Sequence, residues 1–476
     1  MQIAVHRCWS TPPPSTMSSR QATALALAEL RKESQDIYNR IRSIAEDAAF
    51  VDEVRRHYKD LPLIPNMRCG AWYADPATAS SEKAYFKSTD GHTNNWSFNL
   101  RRPNLHLLSL IAEHSGIVLV DSTRAGKRMP DALSKTVPIW CSVVNRALLK
   151  RSAQGAFDNW DVTLYTPPGV VSAQEQDMIE RKLDAWASDL AASFYQLPNL
   201  KYPLRPMWIT PATTTFPAFL VRRSFLPIIC VSASKQITDG LERRATGFAY
   251  IQGSADDHEL WSMGLTPTIF WNNRTGILKA GRSELPELVK SLVEASSSTN
   301  IHDDSNSQRT FQPTPIDHVS GLLSICCTAS LLSISNSPIA MVYLTSGSTY
   351  LSVGTGARDP ALTLCIETPE GKKGQHHFLH TVLPCSIPFI KTHLLDGRQV
   401  CIACDKGTDI SVGVGLAALA KFFREDGTFN PQENRQVDLC ESKGVLQTRL
   451  QWIISSYPQA NPSRTTLKRV NDYLLS

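Results

Sequence analysis

Short apolar runs that stop abruptly at polar, glycine-bearing loops constrain this chain more than any other feature. GIVLV at 116–120 ends at Asp121, LPIICVSAS fills 226–234, and GFAYIQG at 247–253 ends at Ser254. Runs this short, with helical segments between them, read as buried strands of a parallel sheet. The helical segments are clear. Residues 21–60 place apolar side chains three and four apart without proline or glycine, a helical period. A second helix opens on the pair Ser172 and Glu175, the spacing of a capping box. A third is expected between Pro286 and Glu294. Strands alternating with helices give an α/β fold class, with a helical N-terminal segment ahead of the first α/β domain.

The pattern breaks at 296–315, a stretch rich in Ser and Thr with prolines at 313 and 315; it reads as a linker. Beyond it MVYLT, LTLCIE, FLHTVLP and QVCIAC read as strands of a second α/β unit, and VGLAALAKFF as the helix after the last of them. The expected division is a disordered tail at 1–20, a first domain at 21–295, a linker at 296–315 and a second domain at 316–476. The 476 residues suit two large domains, at roughly 150 residues for an ordinary one.

Charge is nearly balanced over the chain, 49 basic against 44 acidic residues. From Lys83 to Arg151, however, 11 Lys and Arg face 4 Asp and Glu, a local excess of +7. Such a segment is either a solvated surface or the footprint of an anionic partner. The most apolar stretch, 321–344, is broken by serines, Asn336 and Pro338, so no membrane-spanning segment is expected. Eleven cysteines, an odd number, scattered along a long chain favour reduced thiols and a cytoplasmic setting. The single C-x-x-C, Cys401 to Cys404, reads as buried strand cysteines rather than a zinc site, which would need a second pair.

Four loops have the composition of binding sites. Asp121-Ser122-Thr123-Arg124-Ala125-Gly126-Lys127-Arg128 follows a strand directly, where open α/β sheets bind ligands. Its hydroxyls, glycine and three cations can surround phosphate oxygens, although the Walker spacing is absent. The same residues can make a basic turn with Asp121 as a cap. Lys87-Ser88-Thr89-Asp90-Gly91-His92 crowds short polar residues around a glycine, with Tyr85, Phe86, Trp96 and Phe98 nearby; it suits a nucleotide contact or a simple Asp-Gly turn. Asp256 and Asp257 can bind a divalent ion through hard oxygens or cap a following helix. In the second unit Cys404-Asp405-Lys406-Gly407-Thr408-Asp409-Ile410-Ser411 lies between strand and helix, the layout of a cysteine-phosphatase phosphate loop. Ala403 and Ile410 stand where that loop carries His and Arg, and losing the Arg removes the bidentate phosphate clamp. Phosphatase activity is therefore excluded, while an anion-binding or scaffolding role stays open.

Taken together, NMRCGAWY at 66–73, AYFKSTDGHTNNWSFNLRRPNLHLL at 84–108, GIVLVDSTRAGKRMPDALSKTVPIWCSVVN at 116–145 and YIQGSADDHELWSMGLTPTIFW at 250–271 resemble the initiator tRNA phosphoribosyltransferase family. The second unit is similar to that family's dual-specificity-phosphatase-like domain. The resemblance implies an enzyme that transfers ribosyl 5-phosphate from phosphoribosyl pyrophosphate to the ribose 2′-hydroxyl of the adenosine at position 64 in the T stem of initiator methionyl tRNA. Pyrophosphate leaves, and the initiator is kept out of elongation. The alternative is a non-catalytic tRNA-binding protein with an inactive phosphatase-like module. No membrane or protein partner is implied.

Such a donor needs several anion sites, Mg²⁺ for the leaving pyrophosphate and an acceptor for the hydroxyl proton. On that reasoning Ser122, Thr123, Arg124, Gly126 and Lys127, with Lys87, are expected to hold donor phosphate. The loop carrying Lys406, Gly407, Thr408 and Ser411 is a second phosphate candidate. Asp121 and Asp90 are candidates for general base or ribose partner, and His92 and His258 for leaving-group or phosphate contact. Asp256 and Asp257 are the metal candidates. Arg101, Arg102, Arg128 and Lys135 are expected along the tRNA backbone.

Overall fold

A computed structural model describes residues 28–67, 69–124, 126–152, 160–218, 224–237, 241–299, 313–328, 339–345, 359–369, 371–430 and 439–475. The expected tail at 1–20, and all of the expected linker but its two ends, lie outside them.

Along the first unit come α1 (Ile37–His57), β1 (Leu63–Pro65), α2 (His106–His114), β2 (Ile117–Asp121), α3 (Val137–Arg151), α4 (Ala173–Ala191), β3 (Leu204–Ile209), β4 (Leu226–Ser232) and α5 (Leu285–Thr299). The four strands form one parallel sheet in the order β1-β2-β4-β3. Successive side chains of a strand point to opposite faces, and here both faces are dry. Ile117 and Leu119 of β2, with Ile228 and Cys230 of β4, pack against Leu107, Trp140 and Leu183 of α2, α3 and α4. Val118 and Val120, with Ile229 and Val231, pack against Ile41 and Ile44 of α1 and Val289 of α5. That is why these strands lack polar alternation. Asp36 starts α1 by accepting the Tyr38 amide at 2.8 Å, and Ser172 starts α4 by accepting the Glu175 amide at 3.1 Å.

One expected strand falls elsewhere. Of GFAYIQG only β6 (Ala249–Tyr250) is extended, pairing antiparallel with β5 (Glu242–Arg243) outside the parallel sheet. Its backbone is claimed by α1 instead: the Ala249 amide donates to Asn39 Oδ1 at 3.1 Å and the Ile251 amide to Ser43 Oγ at 2.9 Å.

The second unit carries β7 (Thr314–Pro315), β8 (Leu323–Cys327), β9 (Ala340–Thr345), β10 (Thr363–Glu367), α6 (Leu383–Leu395), β11 (Val400–Cys404), α7 (Ile410–Phe422), α8 (Leu439–Ser456) and α9 (Arg464–Leu475). Its sheet runs β10-β9-β11-β8-β7, parallel except for β7. FLHTVLP, expected as a strand, is a wide helical turn at Phe378–Val382 leading into α6. Its buried residues Phe378, Val382, Leu383, Ile387 and Ile390 follow the spacing of one helix face.

The two units share a continuous core. At the seam the Phe194 ring meets those of His318 and Trp452 at centroid distances of 4.5 and 5.5 Å, and the Phe194 amide donates to Gln451 Oε1 at 3.2 Å. Among the described residues no helix is long and apolar enough to cross a membrane.

Candidate functional site

A cavity of about 690 Å³ opens beside the carboxyl ends of the first sheet, where ligands of parallel α/β sheets bind. Its walls come from separate stretches of chain. Lys87, Thr89 and His92 enter from one loop, Thr123, Arg124 and Lys127 from the loop after β2, and Asp256 and Asp257 from the loop after β6. Thr408, Gln459 and Asn461 of the second unit close the remaining side. The two loops with the composition of phosphate sites thus border one space.

The loop after β2 is fixed from below. Asp121, its first residue, is fully buried. Its carboxylate accepts from Asn66 Nδ2 at 2.8 Å, from the Ser122 amide at 2.8 Å and from Cys69 Sγ at 3.0 Å. Asp121 is therefore a brace, closer to the capping alternative than to a general base or ribose partner: its carboxylate faces donors of the fold, and it does not line the cavity. Ser122, expected on phosphate, is equally buried and lies 2.6 Å from Ser234 Oγ. Ser234 donates to Asp47 Oδ2 at 2.5 Å, and Tyr250 donates to Asp47 Oδ1 at 2.6 Å. Burial, partly offset by these hydroxyls, pushes the Asp47 carboxyl well above the usual carboxylate range.

The loop after β6 is bound to the same platform. Gln252 Nε2 donates to the Lys127 carbonyl at 2.6 Å and the Gly253 amide to Ser234 Oγ at 3.1 Å. Gly253 has φ +68°, and a Cβ there would stand 2.4 Å from the Thr123 carbonyl oxygen. Only glycine lets the two loops approach this closely.

Asp131, which the sequence reading missed, organises the cationic wall. It meets Lys127 Nζ at 2.6 Å, Lys135 Nζ at 3.2 Å and His92 Nε2 at 3.7 Å. Burial would raise its carboxyl, but the hydrogen bond from Lys127 and the charge of Lys135 outweigh it and hold the group below the usual range. The signal lay in the spacing: Asp131 stands four residues from each lysine, an arrangement that pairs charges along a helical turn. Lys87 is held below its ordinary value by burial and by the neighbouring charges of Arg102, Arg101 and Arg464.

Of the expected phosphate, metal and proton-handling residues, the cavity collects Lys87, His92, Thr123, Arg124, Lys127, Asp256, Asp257 and Thr408. Gly126, Asp90, His258, Lys406, Gly407 and Ser411 do not line it. Asp90 pairs with Arg102 at 3.2 Å, and it is Arg102 that reaches the cavity wall. Ser411 is buried, with its Oγ 3.1 Å from Cys404 Sγ. Gly407, at φ +68°, is wedged against Tyr457 and β8. Lys135 cannot serve an RNA backbone as expected: it is 6% exposed and its ammonium is bound by Asp131 and by Glu175 at 3.1 Å.

Among the described residues no group of three or more His, Cys, Asp or Glu forms a metal cage. Mg²⁺ asks for less, commonly one or two carboxylates with waters and substrate phosphates. The hard oxygens of Asp256 and Asp257 on the cavity wall fit that demand.

Comparison with known proteins adds the following. A family described as "Rit1 N-terminal domain" matches residues 30–294, and one described as "Rit1 DUSP-like domain" matches 362–474. A Saccharomyces cerevisiae relative named tRNA A64-2′-O-ribosylphosphate transferase is 32% identical, over 94% of this chain and 94% of its own. A Schizosaccharomyces pombe relative, whose name states no function, is 34% identical over 95% of this chain and 97% of its own. Among solved structures, a leucine rich repeat and phosphatase domain containing protein from Entamoeba histolytica matches at 14% identity and a TM-score of 0.24, over 35% of this chain and 93% of that one. The human tyrosine phosphatase-like serine/threonine/tyrosine-interacting protein matches at 13% identity and a TM-score of 0.24, over 33% of this chain and 93% of that one.

Proposed function

The chain belongs to the Rit1 family, and from that premise we propose that its cavity transfers ribosyl 5-phosphate from phosphoribosyl pyrophosphate to the 2′-hydroxyl of adenosine 64 in initiator tRNA. It is a transferase acting on tRNA. The observation that carries the donor assignment is the convergence of Lys87, Arg102, Arg124 and Lys127 from distant stretches on one cavity wall. A donor bearing a 5-phosphate and a pyrophosphate presents that much negative charge, and preorganised cations stabilise it as it shifts to the leaving group.

In the reaction the bond from ribose C1 to pyrophosphate oxygen breaks and a bond from C1 to the RNA 2′-oxygen forms. The hydroxyl proton must leave at the same time. With Asp121 committed to the fold, His92 is the residue to receive it, since its imidazole lines the cavity and faces the Asp131 carboxylate at 3.7 Å. Asp131, held ionised by Lys127 and Lys135, stands 3.7 Å from His92 Nε2, near enough for its charge to bear on the proton that His92 receives. Arg124 and Lys127 take the charge of the departing pyrophosphate. Asp256 and Asp257 would hold Mg²⁺, which when bound supplies further neutralisation of that leaving group.

The test is incubation with initiator tRNA, Mg²⁺ and donor labelled in its ribosyl phosphate. The expected result is label on the 2′-oxygen of adenosine 64 and none on elongator tRNA. An enzyme that leaves the initiator unlabelled under these conditions overturns the assignment.

A further inference from the structure

Beside the cavity, on the seam between the two units, lies a groove of about 720 Å³ lined by Arg101 of the first unit and Arg464 and Lys468 of the second. Among the described residues none of these three cations is in an ion pair. Among the described residues Asp189 is the one acid on the same lining. Residues close in sequence line the cavity and the groove on both walls. On one side Arg102 lines the cavity and Arg101 the groove; on the other Asn461 lines the cavity and Arg464 the groove. The charges of Arg101 and Arg464 also bear on Lys87 inside the cavity.

The two walls of the cavity differ in chemistry. The first unit brings cations, whereas Thr408, Gln459 and Asn461 bring a hydroxyl and two carboxamides. Neutral groups of this kind donate to and accept from base edges and ribose hydroxyls, while unpaired cations in a groove attract backbone phosphate. The segment is rigidly seated: the Asn461 amide donates to the Thr408 carbonyl and the Ser463 amide to Asp409 Oδ1, both at 2.9 Å.

We infer that the phosphatase-like unit is the acceptor-binding half of the enzyme: Gln459 and Asn461 position the target nucleoside, and Arg464 and Lys468, with Arg101, hold the RNA phosphates that flank it. This rests on the transferase reading above and assigns the RNA side of that site. A dead phosphatase loop then has a use, since it carries Thr408 to the cavity and anchors Asn461.

The test uses the full chain with Arg464→Gln and Lys468→Gln together. Neutralising two cations that each hold a duplex phosphate should reduce the slope of log affinity against log salt by about 1.8. The KM for tRNA should rise about tenfold or more, the weakening that follows when two phosphate ligands are removed, with the KM for the donor unchanged. Asn461→Ala should raise the tRNA KM without altering the salt slope. An unchanged tRNA KM and salt slope in the double variant overturn the inference, as does an equal rise in the donor KM. Direct tRNA binding reads the salt slope whether or not transfer occurs. An unmodified enzyme that transfers no label therefore counts against the transferase reading alone.

Discussion

At the scale of single residues the site is an arrangement of charges held by a few buried partners. Arg124 and Lys127 line the cavity from an exposed loop, so replacing both with Ala should leave the fold intact. Transfer should fall by at least about a hundredfold, as when a charge-stabilising donor is removed, measured by single-turnover labelling. Asp131 behaves differently because its ion pairs belong to the folded state. Its carboxyl is held below the unfolded value of about 4, so its contribution is complete above that pH and is lost as pH falls through the folded value. Asp131→Asn should flatten the acid limb of the stability curve below about pH 4, followed by urea unfolding across pH. Several of these residues were legible in sequence because short polar loops at strand ends announce themselves. Asp121 was misread for the same reason. A carboxylate at a strand end looks catalytic until Asn66, Cys69 and the Ser122 amide are seen to consume it, and two of those partners lie 55 and 52 residues away.

At the scale of elements, β2 and β4 could be read directly because both faces are buried and apolar runs result. GFAYIQG had a similar composition but not the same fate, since α1 supplies Asn39 and Ser43 to its backbone. FLHTVLP was misread because buried residues at helical spacing are hard to tell from a strand in so short a run. The polar platform under the cavity was invisible, being assembled from α1, β4 and two loops. Its centre is Asp47, which receives Ser234 and Tyr250. Asp47→Ala should leave the buried Tyr250 hydroxyl without its acceptor and Ser234 without its bond to the carboxyl, and cost about 2–4 kcal/mol. Chemical denaturation measures that loss, and a rise in donor KM should accompany it, because the loops on either side of Gly253 rest on the same serine.

At the scale of the molecule, the seam joins two sheets that the sequence separates by a polar stretch. The polar stretch was visible along the chain; the intimacy of the two sheets' surroundings was not, because Phe194, His318 and Trp452 are each ordinary when taken alone. Trp452, 2% exposed, stacks on His318 at 3.9 Å and contacts Phe194. Trp452→Ala should cost about 3–5 kcal/mol. Calorimetry should show the single cooperative transition of the unmodified chain split into two, as the shared core is cut at the seam.

That aromatic stack also bears on the order of events during turnover. A packed core across the seam resists spreading of the two units that wall the cavity. Under the reaction proposed above, a small donor seated in the cavity would have to enter before the bulky polynucleotide covers the opening. The same geometry would hold pyrophosphate in the cavity until the modified RNA has gone, so product inhibition by pyrophosphate should outlast that by tRNA.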